Sequence, residues 1–256
     1  RAVMLKAERL QAIVDITNKE KIVTSEELMR QLNISKATAR RDIEELSSQG
    51  LIQKTRGGAM SANHASLEPS FVKKKESNAD EKARIAKAAR EHICPGEKII
   101  LDSGTTVLEL AKLVNDIPDL TVVTNDLHIA SEVSIFPNVT LLMVGGVVRK
   151  GFNSTYGYFA EKMLGSISVN KTFLSIDAVD VEHGLLSYIT DDTNIKKQYI
   201  KSGKEVILLC DHTKFRASAF INISQLDCIN RIIVGRELDV EYVDRLESLG
   251  IEVELV

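Results

Sequence analysis

The chain has 256 residues, 44% hydrophobic and 27% charged, with a net charge of −3. That length can bury one or two cores, and the balance excludes a disordered or collagen-like chain and a uniformly basic nucleic-acid coat. Three cysteines (Cys94, Cys210 and Cys228) lie far apart with no CxxC pair, which excludes a zinc ribbon and a disulfide framework and suits reduced thiols.

No apolar run approaches the roughly 20 residues that span a bilayer. No charged-then-apolar leader opens the sequence, so a cytoplasmic protein without membrane contact is expected. Charge is unevenly spread. Residues 1–60 hold 11 Lys+Arg against 8 Asp+Glu, a surplus of +3, whereas residues 61–256 hold 22 against 28, a surplus of −6. A basic head on an acidic body suits a chain of which only the head meets phosphate.

In chain order, residues 6–18 form an amphipathic helix with Leu10, Ile13, Val14 and Thr17 on one stripe. Thr24 and Glu27 form a capping box that opens a second helix ending at Leu32. Asn33-Ile34-Ser35 is a turn, Ser35 caps a third helix over 35–49, and Gly50 ends it. Residues 51–55 alternate as a strand, and Gly57-Gly58 turns a hairpin. Residues 61–79 are polar and contain Pro69, so they read as a linker, with Lys73-Lys74-Lys75 as a solvated face.

The texture then changes. A helix over 80–93 is followed by strands at 98–101, 120–124, 140–144, 172–176, 205–209 and 231–234. Helices at 106–114, 127–133, 193–202 and 240–249 alternate with them. Several of these strands are continuous apolar runs, as strands buried on both faces should be. The expectation is an α/β class: an N-terminal winged helix-turn-helix over 4–60 and a largely parallel α/β domain over 80–256.

The third helix buries Ala39, Ile43 and Leu46 if its core positions are spaced four and three apart. Arg41 and Ala37 then point away from the core, with Arg40 and Thr38 on the flanks. Glu44 and Glu45 come only in its second half, so its first half can approach phosphates and bases, as a recognition helix does. Arginine reads guanine through two parallel hydrogen bonds. The expected DNA contacts are Ser35, Lys36, Thr38, Arg40 and Arg41 on the helix and Lys54 and Arg56 on the hairpin. The bland reading is a helical hairpin with a charged surface, but turn length, caps, arginine position and hairpin agree on DNA.

In the second half, Asp102-Ser103-Gly104-Thr105-Thr106-Val107 follows an apolar strand and opens a helix. Ser103, Gly104, Thr105 and Thr106 offer amides and hydroxyls there, which suits a phosphate. Asn125, Gly146, Asp177 and Asp211 to Lys214 also sit at strand ends, where open α/β sheets bind ligands. The five histidines (64, 92, 128, 183 and 212) have no metal spacing, and no metal or cofactor is expected.

The run VTSEELMRQLNISKATARRDIEELSSQGLIQKTRGGAM resembles the N-terminal signature of the DeoR family of bacterial transcriptional regulators. It departs from that family's typical run at Ala39, where isoleucine is usual, and at Thr55, where histidine is usual. EKARIAKAA, LDSGTT, VVTN and the D-x-x-K-F of Asp211 to Phe215 are similar to the family's effector domain. That domain is related to ribose-5-phosphate isomerase and binds a phosphorylated sugar. The resemblance implies that Ser103, Gly104, Thr105 and Thr106 hold the phosphate, and that Asp102, Asn125, Gly146, Asp177, Lys196 and Lys214 surround the sugar. It also implies a carboxylate near Asp192. Asp177-Ala178-Val179-Asp180 looks like the isomerases' DGAD, but the rest of their catalytic set is missing, so no catalytic residue is expected.

The resulting expectation is a repressor of a sugar-catabolism operon, acting on double-stranded operator DNA as a homodimer or homotetramer and modulated by a phosphosugar effector. Two alternatives stay open: an isomerase-like enzyme with an appended DNA-binding head, and a winged-helix module with a protein partner.

Overall fold

The computed structural model describes residues 5–20, 22–49, 51–55, 57–61, 68–190, 193–217, 219 and 221–256. Contacts divide the chain into two compact units, Arg1–Leu67 and Glu68–Val256.

The first unit contains α1 (Lys6–Glu20), β1 (Ile22–Thr24), α2 (Ser25–Leu32), α3 (Lys36–Ser48), β2 (Ile52–Thr55) and β3 (Gly58–Ser61). Its antiparallel sheet has the order β1-β3-β2. Ile13, Val23, Leu28, Ile43, Leu46, Ile52 and Ala59 form one core. The strand β1 was not foreseen, because three residues between two helices leave no period to detect. Gly58 is needed where β3 crosses β1: a Cβ there would collide with the Val23 carbonyl. Gly57 turns the hairpin with φ at +109°, a conformation that glycine adopts without strain. Gly50, read as the stop of α3, lies outside the described residues.

The second unit begins with α4 (Phe71–Glu76), α5 (Ala79–Glu91), β4 (Lys98–Leu101), α6 (Thr105–Ala111), β5 (Leu120–Thr124), α7 (Leu127–Val133) and β6 (Val139–Met143). Then come β7 (Val147–Val148), β8 (Thr155–Tyr156), α8 (Tyr158–Leu164), β9 (Val169–Leu174), β10 (Ala178–Asp180), β11 (Gly184–Ser187), α9 (Thr193–Ser202) and β12 (Gly203–Leu209). It ends with β13 (Ile221–Ser224), β14 (Arg231–Val234), α10 (Val240–Ser248) and β15 (Glu252–Leu255).

The main sheet has seven strands in the order β15-β14-β12-β9-β4-β5-β6. All six neighbouring pairs are parallel. Ile99 and Leu101 pack with α5, α6 and α7 on one face. Ile100, between them, packs with α8 and α9 on the other. This period of two, with both faces covered, is why the strands read as unbroken apolar runs. A small antiparallel sheet, β10-β11-β13, is packed with α10 in a further core.

Two expectations need correction. Residues 68–79, read as linker, fold with the second unit as α4 and the start of α5. Lysines 73–75 are not a uniform solvated face, because the Lys74 side chain is only 17% exposed. The pattern hid this because Asp177, one of the two carboxylates paired with Lys74, lies 103 positions away.

Candidate functional site

The first unit presents α3 on a fixed frame. Thr24 caps α2 through a reciprocal pair with Glu27: its hydroxyl accepts from the Glu27 amide at 3.1 Å, and its amide donates to the Glu27 carboxylate at 2.8 Å. Asn33 takes the left-handed conformation that turns the chain. Ser35 then caps α3, accepting from the Thr38 amide at 3.2 Å, while the two hydroxyls lie 2.8 Å apart. Ala39, Ile43 and Leu46 are buried as the spacing predicts. Lys36, Arg40 and Arg41 are exposed, and Thr38 is half-buried.

Asp42, also buried, was missed by pattern reasoning. Its carboxylate accepts two hydrogen bonds from Arg9 of α1, at 2.6 and 3.2 Å, and so sets α3 against α1. Glu44 accepts from Arg40 at 3.3 Å and from Lys54 at 2.7 Å, linking α3 and the hairpin. Exposed, solvent-screened pairs of this kind are weak and leave both cations able to change partner. Arg56 lies outside the described residues.

In the second unit the strand order reverses between β4 and β9, since β4 leads to β5 and β6 on one side and β9 leads to β12 and β14 on the other. Such a switch point opens a crevice at the carboxyl ends of the two strands. Asp102 closes its floor. Its carboxylate accepts from the amides of Ser103 at 2.8 Å and Ser175 at 2.9 Å, and from Lys196 at 2.5 Å. The Ser103 hydroxyl donates to Asp126 at 2.7 Å. Asp126 also caps α7, and burial pushes its carboxyl up against the pull of these hydrogen bonds. Gly104 is needed because a Cβ would lie 2.6 Å from Ser175, across the switch point.

The crevice holds a cavity of about 50 Å³. Of the residues expected to meet an effector, Ser103, Gly104, Thr105, Thr106, Asp177, Lys196 and Lys214 line it. Three do not. Asp102 lies beneath, spent on positioning Lys196. Asn125 is buried, donating to the Thr155 carbonyl at 2.8 Å and accepting from Tyr199 at 3.0 Å. Gly146 packs on the Tyr156 carbonyl instead. Asp192 lies outside the described residues.

The cavity also collects residues that local pattern did not point to: Glu68, Lys74, Arg149, Phe152 and Ser175. Lys74 donates to Glu68 at 2.6 Å and to Asp177 at 2.8 Å, and Arg149 donates to Glu68. Burial alone pushes the Asp177 carboxyl up, but Lys74, Lys196 and Lys214 outweigh it and hold it at about 2. Burial lowers the Lys74 ammonium, and Asp177 and Glu68 more than compensate, leaving it raised. The only signal in sequence was the acidic-basic mix of 68–75, which cannot name partners 100 residues away.

Glu81, Asp211 and His212 bring donor atoms within 4.8 Å of one another. His212 Nδ1 lies 2.8 Å from Glu81, and Asp211 accepts from Asn78 at 3.0 Å, so these donors are engaged with protein partners.

A model of the DeoR-like helix-turn-helix domain matches residues 9–65, and a model of the DeoR C terminal sensor domain matches residues 77–236. The chain belongs to the DeoR family. An uncharacterised HTH-type transcriptional regulator of Bacillus subtilis, YulB, is 34% identical over 99% of this chain and 98% of its own. The HTH-type transcriptional repressor GlcR of the same organism is 31% identical over 97% and 96%. Ribose 5-phosphate isomerase A of Methanocaldococcus jannaschii aligns over 54% of this chain and 55% of its own, with a TM-score of 0.41 and 17% identity. Agreement as loose as that carries no functional conclusion.

The family makes this chain a DNA-binding transcriptional regulator rather than an enzyme. No described helix is long and apolar enough to cross a membrane.

Proposed function

We propose that this DeoR-family regulator is a cytoplasmic repressor of a sugar-catabolism operon, released from its operator by a phosphorylated sugar. Lys36, Thr38, Arg40 and Arg41 enter the major groove, with Ser35 at the helix start, and Lys54 and Arg56 hold phosphates from the hairpin. Two heads read a two-fold operator, so the acting form is at least a homodimer. The DNA-binding domain spans 4–60 and the sensing domain lies within 80–256, extended by α4.

The observation that carries the effector reading is the convergence of cations and hydroxyls at the switch point. Lys74, Arg149, Lys196 and Lys214 surround one small cavity with the hydroxyls of Ser103, Thr105, Thr106 and Ser175. Four cations suit a phosphate dianion. Asp177 accepts from sugar hydroxyls beside it. The GlcR relative is named a repressor, which supports the same sign of regulation here.

A thermal-shift screen of pentose and hexose phosphates tests the reading. One phosphosugar raises the unfolding midpoint, its unphosphorylated parent does not, and Thr105→Ala lowers its affinity about tenfold, the loss of one charge-assisted hydrogen bond. An undiminished response in Thr105→Ala would remove the phosphate from that loop.

A further inference from the structure

The cavity is too small for the ligand proposed above. At about 50 Å³ it compares with roughly 300–1,000 Å³ for pockets that enclose small molecules. What fills it belongs to the chain. Glu68 projects a carboxylate that is 3% exposed between Lys74 and Arg149. The guanidinium of Arg149 stacks 3.9 Å above the Phe152 ring, so it is already oriented for a planar or tetrahedral anion. The Lys74 carbonyl accepts from Thr105, in the loop assigned to the phosphate, at 3.5 Å. Lys82 ties down the second half of α4, donating to the carbonyls of Lys74 and Ser77.

We infer that Lys74, Arg149 and Phe152 form an anion subsite which Glu68 occupies as an internal ligand, and that an anionic group of the effector binds there by evicting Glu68. The inference rests on the phosphosugar reading above and adds to it the displacement of Glu68 and a route for the signal. A carboxylate and a phosphate are competing partners for the same two cations, and only one fits between them. Eviction costs two buried ion pairs, which the incoming anion restores with its own charge.

The position of Glu68 in the chain gives the competition an output. Glu68 is the first residue of the second unit, and the helix-turn-helix match ends at residue 65. Moving Glu68 and α4 therefore moves the point from which the chain leaves for the DNA-binding head. A ligand shifts such an equilibrium only by its differential affinity for the two arrangements, and exchange of one anion for another supplies that difference.

The test uses the full chain, with inorganic phosphate and a panel of sugar phosphates as probes. Glu68→Gln keeps the shape of the side chain and removes its charge. It binds inorganic phosphate about tenfold more tightly than the unaltered chain, the gain when an open state populated about a tenth of the time becomes the dominant one. Hydrogen exchange on the unaltered chain gives a second readout, independent of whether the variant folds. Saturating phosphate speeds exchange at the Lys74 and Ser77 amides and slows it over residues 103–106. Equal affinity in both proteins, or α4 amides that become better protected, overturns the eviction and leaves the phosphosugar reading standing. Failure of both proteins to bind inorganic phosphate or any sugar phosphate overturns that reading and the subsite with it.

Discussion

Asp177 links stability to the crevice at the switch point through a single proton. Its carboxyl is held at about 2 by Lys74, Lys196 and Lys214 against the opposing effect of burial. An unfolded aspartate titrates near 3.9. The folded value is therefore the lower one, and the stabilisation is fully present above about pH 4 and lost as pH falls toward 2. Unfolding midpoints followed across that interval drop more steeply for the unaltered chain than for Asp177→Asn. Parallel slopes would mean that the pair with Lys74 does not form in solution. The candidate residue itself was legible at a strand end, but its partner was not. Lys74 lies 103 positions earlier, in a stretch whose composition reads as linker.

The helix α3 works because two kinds of contact fix it. Ala39, Ile43 and Leu46 set its rotation by burial, and Asp42 sets its seat through Arg9. Asp42→Ala leaves the Arg9 guanidinium without its partner and costs the first unit about 1–3 kcal/mol in chemical denaturation. An unchanged midpoint would make that ion pair ornamental. Arg40→Ala combined with Arg41→Ala leaves stability within about 0.5 kcal/mol, since both side chains are exposed. The double variant loses sequence-specific DNA binding; normal operator affinity would move the reading surface elsewhere. The long periodic elements were legible: α1, α2, α3 and the core strands of the main sheet follow from apolar spacing and caps. β1, β7, β8, β10, β11, β13, β15 and α8 were not, because so few residues carry little periodicity unless a continuous apolar run marks them, as in β4 and β14. Their geometry comes from the sheets and helices they pack on.

At the scale of the molecule, a basic unit and an acidic unit divide binding from sensing. That division was legible in charge and motif together, and the seven-stranded order explains why loops from Ser103, Ser175 and Lys214 meet at one crevice. The closure of that crevice by α4 was beyond local pattern, since it depends on Glu68 and Lys74 meeting Arg149 and Asp177 from two remote segments. With Lys36, Arg40, Arg41, Lys54 and Arg56 on each head, the logarithm of operator affinity falls with the logarithm of salt concentration, with a slope of several units for a dimer. A slope near zero would contradict a phosphate-tracking head.

The most direct measurement is fluorescence anisotropy of a labelled duplex that the protein has itself selected from random sequence, titrated with pentose and hexose phosphates at fixed salt. One phosphosugar is expected to release the duplex, its unphosphorylated parent is not, and Thr105→Ala needs about tenfold more of it, in line with the loss of a charge-assisted hydrogen bond. Selection of no preferred duplex, or release by the unphosphorylated sugar alone, would contradict that expectation.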